Sequence, residues 1–148
     1  MKIPEKFSAP LRMALVSMVL CGLLFPVVVT GIAEVAFPYQ SVGEQATLGN
    51  HTVGSYLIAQ EFNASVFFHP RNDSASGVDP DITISDAYSQ IPGISNATGL
   101  SSAILMNTVD KFVQYTMISF GTEYMNVLKV NLYLINTYPG IYSHYVSG

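Results

Sequence analysis

The chain has 148 residues, of which 11% are charged and 49% are hydrophobic, and its formal net charge is −4. This length accommodates one compact domain of modest size, and the acidic balance disfavours nucleic acid as a partner. The single cysteine, Cys21, excludes an intrachain disulfide.

An uncharged apolar run extends from Met13 to Ala33. As a helix it would measure about 31 Å, which matches the hydrocarbon core of a bilayer. We therefore predict three regions: a cytoplasmic N-terminus over residues 1–12, a transmembrane helix over 13–36 and an extracytoplasmic α+β domain over 37–148.

Pro26 lies inside the apolar run and lacks a backbone N–H, so we expect a local kink in the helix. Thr30 could bond the carbonyl that the proline leaves free. Small residues at Gly22, Gly31 and Ala33 could allow another helix to approach closely, although such residues are common in membrane helices.

The charges on either side of the run predict its orientation. Lys2, Lys6 and Arg12 precede the helix with only Glu5 against them, whereas acidic residues predominate after it. Because basic flanks stay in the cytoplasm, we predict a single-pass protein of the cell membrane with its domain outside.

Two alternatives to a permanent anchor remain. The first is a signal peptide cleaved after Gly31-Ile32-Ala33, although the run is longer than the apolar region of an ordinary signal peptide. The second is lipoprotein processing at Cys21, which the bulky Leu20 disfavours.

Four glycosylation sequons follow the apolar run, at Asn50, Asn63, Asn72 and Asn96. Composition alone would give roughly one such motif. Their number is consistent with an external location, although short motifs often arise by chance.

The predicted elements of the domain alternate between strands and helices. Residues 55–62 form an apolar run that predicts a strand, and residues 69–81 are typical of turns. A capping box at Thr83–Asp86 predicts a helix from Ile84 toward Thr98, disturbed at Pro92 and ended by Gly99.

A second helix is predicted from a cap at Ser101 to about Tyr115, because its apolar residues recur at helical spacing. Residues 126–134 alternate between polar and apolar, which predicts a half-buried strand. The tail from Pro139 is expected to be loosely held.

No constellation for catalysis or metal binding is evident. The three histidines, at positions 51, 69 and 144, lack the spacing of metal ligands, and Asp79, Asp81 and Asp86 do not fit a calcium loop. Neither Gly-x-Ser-x-Gly nor a phosphate-binding glycine loop occurs. The residues alone therefore favour a membrane-anchored accessory or binding domain over an extracytoplasmic hydrolase, and we predict no catalytic residue and no metal.

Five short blocks, in their order and spacing, resemble the KdpC family, the C subunit of the Kdp potassium-transporting P-type ATPase. The blocks are Pro26–Gly31 with Phe37-Pro38, Gly54–Phe62 with Phe67–His69 and Arg71, Ala75–Ile82, Gln90–Pro92 with Gly99–Ser101, and Asn126–Leu132.

One departure from the family pattern follows Arg71. The family usually has a longer stretch before its Ser-Gly-x-Asp-Pro block, whereas here Ala75-Ser76-Gly77 comes almost at once, and Pro70 stands where glycine is common. We interpret this as the loss of a surface excursion, so no family role tied to that stretch is carried over.

The resemblance implies a non-catalytic subunit of an ATP-driven, high-affinity potassium import complex. Its partners would be a potassium-channel-like subunit, a P-type ATPase subunit that hydrolyses ATP, and the lipid bilayer. ATP and potassium would belong to the complex, with no covalently bound cofactor. The family subunit is needed for assembly and is described as a catalytic chaperone that raises the ATP affinity of the hydrolysing subunit.

Within the resemblance, Gln90 is the match for a glutamine linked to the nucleotide. ATP is cytoplasmic whereas Gln90 is predicted to lie outside, so we favour a docking role over direct contact. The candidates for subunit docking are Pro26, Thr30, Gly31, Arg71, Ser76, Gly77, Asp79, Pro80, Asn126 and Asn131. The alternative is an anchored extracytoplasmic binding module unrelated to transport.

Overall fold

The structure is a computed structural model that describes residues 5–62, 64–71, 79–115 and 121–146. The chain divides into two compact units, Met1–Glu44 and Gln45–Gly148. The first is helical and the second combines helices with two small antiparallel sheets, which confirms the predicted α+β class with an N-terminal apolar helix.

The first unit is dominated by one long apolar helical stretch. Its elements are α1 (Glu5–Val19), a π-helical turn (Leu20–Leu24), α2 (Phe25–Ala36) and the short α3 (Pro38–Ser41). The stretch from Ala9 to Ala36 has 28 residues, or about 42 Å, and is long and apolar enough to cross a membrane, as a signal sequence would also be.

Pro26 lies in the first turn of α2, directly after the π-helical turn. The residues before Pro26 are themselves helical, so the proline removes a donor within a continuous helical stretch rather than at a free N-terminus. In the π turn the Phe25 N–H bonds the Leu20 carbonyl, one residue further back than in an α-helix. The chain therefore accommodates the proline by changing its hydrogen-bond pattern rather than by ending the helix.

The second unit contains two small sheets and four helices in its described residues. Strands β1 (Gln45–Leu48) and β2 (His51–Ser55) form an antiparallel hairpin, whereas β3 (Asp81–Thr83), β5 (Glu123–Asn126) and β4 (Gln114–Tyr115) form a sheet in that spatial order. The helices are α4 (Ile84–Thr98), α5 (Ser102–Lys111), α6 (Val127–Thr137) and α7 (Pro139–Val146).

Helix α4 begins and ends where the sequence predicts. The Thr83 hydroxyl accepts a bond from the Asp86 N–H at 3.1 Å, which caps the first turn. Gly99 ends the helix with a φ of 74°, a left-handed conformation that glycine adopts without a Cβ penalty. Pro92 lies within the helix without ending it.

Helix α5 begins as predicted but ends early. Ser101 caps it by accepting from the Ile104 N–H, and its last residue is Lys111 rather than Tyr115. Residues Gln114 and Tyr115 instead pair with β5. The Tyr88 hydroxyl donates to Asp110, a contact that joins α4 to α5.

Three predictions for the domain were wrong. The predicted strand over residues 55–62 is absent, because β2 occupies His51–Ser55 and turns follow it. The predicted strand over residues 126–134 is helix α6, preceded by β5. The tail from Pro139 forms α7 and buries Tyr142 completely, so it is not loosely held.

The main core lies between the three-stranded sheet and helices α4 to α7. Helix α4 contributes one stripe at a spacing of three and four residues, formed by Ile84, Ala87, Ile91 and Ile94. A smaller cluster of Ala46, Leu128 and Leu132 lies under the β1–β2 hairpin. Helix α6 contributes to both clusters, so it is buried on most of its circumference.

Candidate functional site

A surface cleft of about 380 Å³ lies where Arg71 and the Asp79–Thr83 segment come together. Tyr124 of β5 and Thr122 just before that strand complete its wall. Arg71 and Asp79 are exposed, so the cleft brings together two of the residues that the sequence proposes for docking.

Asn126 organises the floor beside this cleft. Its side-chain amide donates to the Tyr56 carbonyl at 2.8 Å and to the Asp81 carboxylate at 3.0 Å, while its oxygen accepts from the Lys129 N–H and caps α6. The Pro80 carbonyl accepts from the Val127 N–H at 3.0 Å. Asn126 is therefore a buried bridge between β3, the turn after β2 and α6.

The Asp81 carboxylate has a raised pKa. Burial is the main cause, and the negative charge of Asp79 adds to it. The hydrogen bond from Asn126 and the charge of Lys129 act in the opposite direction. The site therefore disfavours the ionised form of Asp81 in spite of the bond that Asn126 donates.

Gln90 points from α4 to the chain just before Arg71. Its side-chain oxygen accepts from the His69 N–H at 2.8 Å, and its side-chain nitrogen donates to the His69 carbonyl at 3.1 Å. Both ends of the Gln90 amide are thus bonded to the backbone of one residue.

Asn131 bonds the backbone of Phe68, the residue before His69, in the same way. Its oxygen accepts from the Phe68 N–H at 2.9 Å and its nitrogen donates to the Phe68 carbonyl at 2.8 Å. The Tyr142 hydroxyl donates to the Val66 carbonyl at 3.2 Å. Side chains from α4, α6 and α7 therefore hold the segment Val66–His69.

The remaining predicted residues are dispersed. Pro26, Thr30 and Gly31 lie on α2 of the first unit and are exposed along that helix. Ser76 and Gly77 lie outside the described residues. Asn131 is fully buried, so its contacts lie within the domain rather than on its surface.

The described residues contain no group of three or more His, Cys, Asp or Glu side chains that could hold a metal ion. Of the sequon asparagines, Asn50 and Asn96 are exposed, on the turn of the hairpin and late in α4. Asn63 and Asn72 lie outside the described residues.

The sequence singled out Gln90 and Asn131 but not the Phe68 and His69 backbone groups that they bond, and it did not single out the buried Tyr142. One signal was available for Asn131, because an amide among Leu128, Val130, Leu132 and Leu134 must find partners if it is buried. Nothing local indicates that its partner is Phe68, 63 positions away.

A family model described as "K+-transporting ATPase, c chain" matches residues 7–74 and 72–136. The two matches meet at residues 72–74, where the sequence predicts the loss of a surface excursion. Together they span most of the chain.

The alignments with curated relatives cover nearly the whole length of those relatives. Proteins named potassium-transporting ATPase KdpC subunit are 28% identical in Thermoplasma volcanium and in Caldanaerobacter subterraneus subsp. tengcongensis, with 87% and 88% of this chain covered and 93% and 95% of the relatives. The one from Koribacter versatilis is 25% identical over 86% of this chain and 92% of its own. The first alignment extends over 195 positions, more than the 148 residues here, so it contains long gaps in this chain.

Proposed function

The chain belongs to the KdpC family, and from that premise we propose that it is the accessory C subunit of an ATP-driven potassium import complex. In this proposal a channel-like subunit conducts potassium and a P-type subunit hydrolyses ATP, while this chain supplies assembly contacts. The observation that carries the proposal is the match to a potassium-transporting ATPase chain over residues 7–74 and 72–136.

The first unit supports a role inside a membrane complex. Its apolar side chains from Ala9 to Ala36 are exposed rather than packed within the unit, so they are available to lipid or to partner helices. Pro26, Thr30 and Gly31 are our candidates for contacts with those helices.

The second unit supports an external docking role through Arg71, Asp79 and Pro80, at and beside the cleft. Of these, Arg71 and Asp79 expose opposite charges at the surface, an arrangement that can fix the register of a partner. The candidates Ser76 and Gly77 belong to the same sequence block and remain part of this proposal.

Copurification from native membranes tests the assembly role. We expect an affinity tag on this chain to retain a potassium-channel-like subunit and a P-type ATPase subunit in fixed proportion. Recovery of the tagged chain alone, under detergent conditions that preserve other membrane complexes, would contradict the proposal and favour a binding module unrelated to transport.

Site-directed labelling tests the orientation. In a Cys21→Ser background, Asn50→Cys places a thiol on the exposed turn between β1 and β2. We expect a membrane-impermeant maleimide to label it in intact cells. Ser8→Cys, before the apolar run, is the matched control and should react only after lysis. The reverse pattern would place the domain in the cytoplasm.

We also propose that the chain raises the ATP affinity of the hydrolysing subunit indirectly, as a catalytic chaperone. The engagement of the Gln90 amide by His69 supports an indirect role, since those polar atoms already have partners within the domain. We expect a complex that retains both partner subunits but carries only the first unit of this chain to require more ATP for half-maximal hydrolysis. An unchanged requirement in that complex would refute the chaperone role.

A further inference from the structure

The segment Val66–His69 is held in an unusual way. The described structure assigns it to neither sheet, yet both backbone polar groups of Phe68 and both of His69 are bonded to side-chain amides. Asn131 from α6 and Gln90 from α4 therefore satisfy, with side-chain amides, the backbone groups of Phe68 and His69 that a neighbouring strand would bond in a sheet.

Burial makes these bonds consequential. Phe68 and Asn131 are both completely buried, so the Phe68 backbone has no access to water if Asn131 is removed. His69 and Gln90 are half-buried, which makes their contact easier to open. We call each pair of hydrogen bonds a bracket. The Phe68 bracket is completely buried, and the His69 bracket is half-buried and therefore weaker.

The weaker bracket lies two residues before Arg71, which lines the cleft together with Asp79 and Asp81. We propose that Gln90 is a positioning residue that acts through the His69 backbone to set the place of Arg71 at the rim of this cleft. This inference rests on the proposed function for its effect on ATP, and it gives Gln90 a role that requires no contact with nucleotide.

Hydrogen exchange on the full-length chain in detergent tests the bracket itself. Gln90→Ala should accelerate amide exchange at His69 by roughly tenfold or more, since about 1.4 kcal/mol corresponds to a factor of ten. Gln90→Glu keeps an acceptor for the His69 N–H but, when ionised, turns a second negative oxygen toward the His69 carbonyl in place of the donor, and this repulsion should open the contact. Exchange of the His69 amide in this variant should therefore exceed the wild-type rate at pH 7.5 and approach it at acidic pH, where the protonated acid regains a donor.

Gln45→Glu is the matched control, because it makes the same change at an exposed position of β1. It should leave His69 exchange at the wild-type rate at every pH. Unchanged His69 exchange in both Gln90 variants would overturn the bracket. This result does not depend on the membrane complex, so it can be told apart from a failure of the proposed function.

A double-mutant cycle in the assembled complex tests the link to Arg71. Gln90→Ala and Arg71→Ala should each raise the KM for ATP with little change in kcat, and the double variant should match the stronger single one. Additive effects, or a raised KM in Gln90→Ala with normal His69 exchange, would overturn the positioning role and point to a separate contact of Gln90. Faster His69 exchange in Gln90→Ala with an unchanged KM for ATP would show that the bracket is purely structural, and it would also overturn the positioning role.

Discussion

The two units of the chain differ in the exposure of their large apolar residues. In the helix from Ala9 to Ala36 large apolar side chains such as Leu23 and Phe25 are more than half exposed, whereas in the second unit Phe68, Leu105 and Leu134 are completely buried. The domain therefore carries its own hydrophobic core. The apolar helix is not covered within its own unit, and in the proposed membrane complex lipid or partner helices would cover it. We therefore expect substitutions in the domain to act on folding, and substitutions in the helix to act on membrane insertion or assembly.

The largest effect is expected in the core of the second unit. Leu134→Ala should lower the free energy of unfolding by about 2–5 kcal/mol, because it leaves a cavity where a completely buried side chain of α6 packs in the core. Denaturant titration of the full chain in detergent, followed by tyrosine fluorescence, measures the change. Leu23→Ala in the exposed helix is the control and should shift the same transition by less than about 0.5 kcal/mol. Equal losses would erase the contrast between the units.

A charged substitution should have its larger effect in the apolar helix and its smaller effect in the domain. Leu23→Arg places a cation near the middle of the 28-residue stretch, at a cost of about 2.5–3.5 kcal/mol for insertion. Less of the chain should remain in the membrane pellet after carbonate extraction. Leu57→Arg, at an exposed position of the domain, should extract like the wild type. Full retention of Leu23→Arg would argue against a membrane-spanning helix.

A smaller effect is expected where α7 closes the domain. Tyr142→Phe removes the hydroxyl that bonds the Val66 carbonyl and should cost about 1 kcal/mol. Tyr145→Phe, at a half-exposed position of the same helix, is the control and should be close to neutral. A loss of stability in Tyr145→Phe but not in Tyr142→Phe would contradict the assignment.

The same tyrosine predicts a dependence on alkaline pH. Burial, with a smaller contribution from Tyr138, raises the pKa of Tyr142 to about 12 from 10.0. The folded state therefore binds the phenolic proton more tightly than the unfolded state, and stability falls as the pH rises from about 10 toward about 12. Unfolding curves across this range should show a shallower decline in Tyr142→Phe.

The smallest effect concerns Asp81. Its folded pKa is raised above 3.8, chiefly by burial, so its contribution to stability decreases as the pH rises through 3.8 to its folded value. Asp81→Asn should remove this decrease and keep the stability at pH 7 within about 1 kcal/mol of the wild type. Asp79→Asn removes only the charge beside Asp81 and should weaken the decrease without abolishing it. A steeper decrease in either variant would contradict the assigned causes.

Success and failure of the sequence predictions follow the range of the interactions involved. Helix α4 was predicted at both ends because its signals are local: Thr83 bonds the residue three positions on, and Gly99 adopts a left-handed turn. Helix α6 was predicted as a strand because Lys129, Asn131 and Tyr133 alternate with apolar residues. A helix buried on most of its circumference has no clear polar face, so its period of 3.6 residues is hidden.

The candidate site was only partly visible in the sequence for the same reason. Arg71 and Asp79 were chosen from short blocks, and the structure brings them to one cleft, while Asn126 is the bridge behind it. Gln90 was identified without its partner. The His69 backbone offers no side-chain signature, and nothing near Gln90 in the chain specifies that contact.

The sequence by itself determined the long apolar helix, the caps of α4 and α5 and the α+β class, because run length, capping and turns depend on neighbours within a few residues. Only the tertiary structure decided that α6 is a helix, that α7 is packed rather than loose, and that Gln90 and Asn131 bond the backbones of consecutive residues. Those outcomes depend on burial and on bonds between residues 21 to 76 positions apart, which no local pattern encodes.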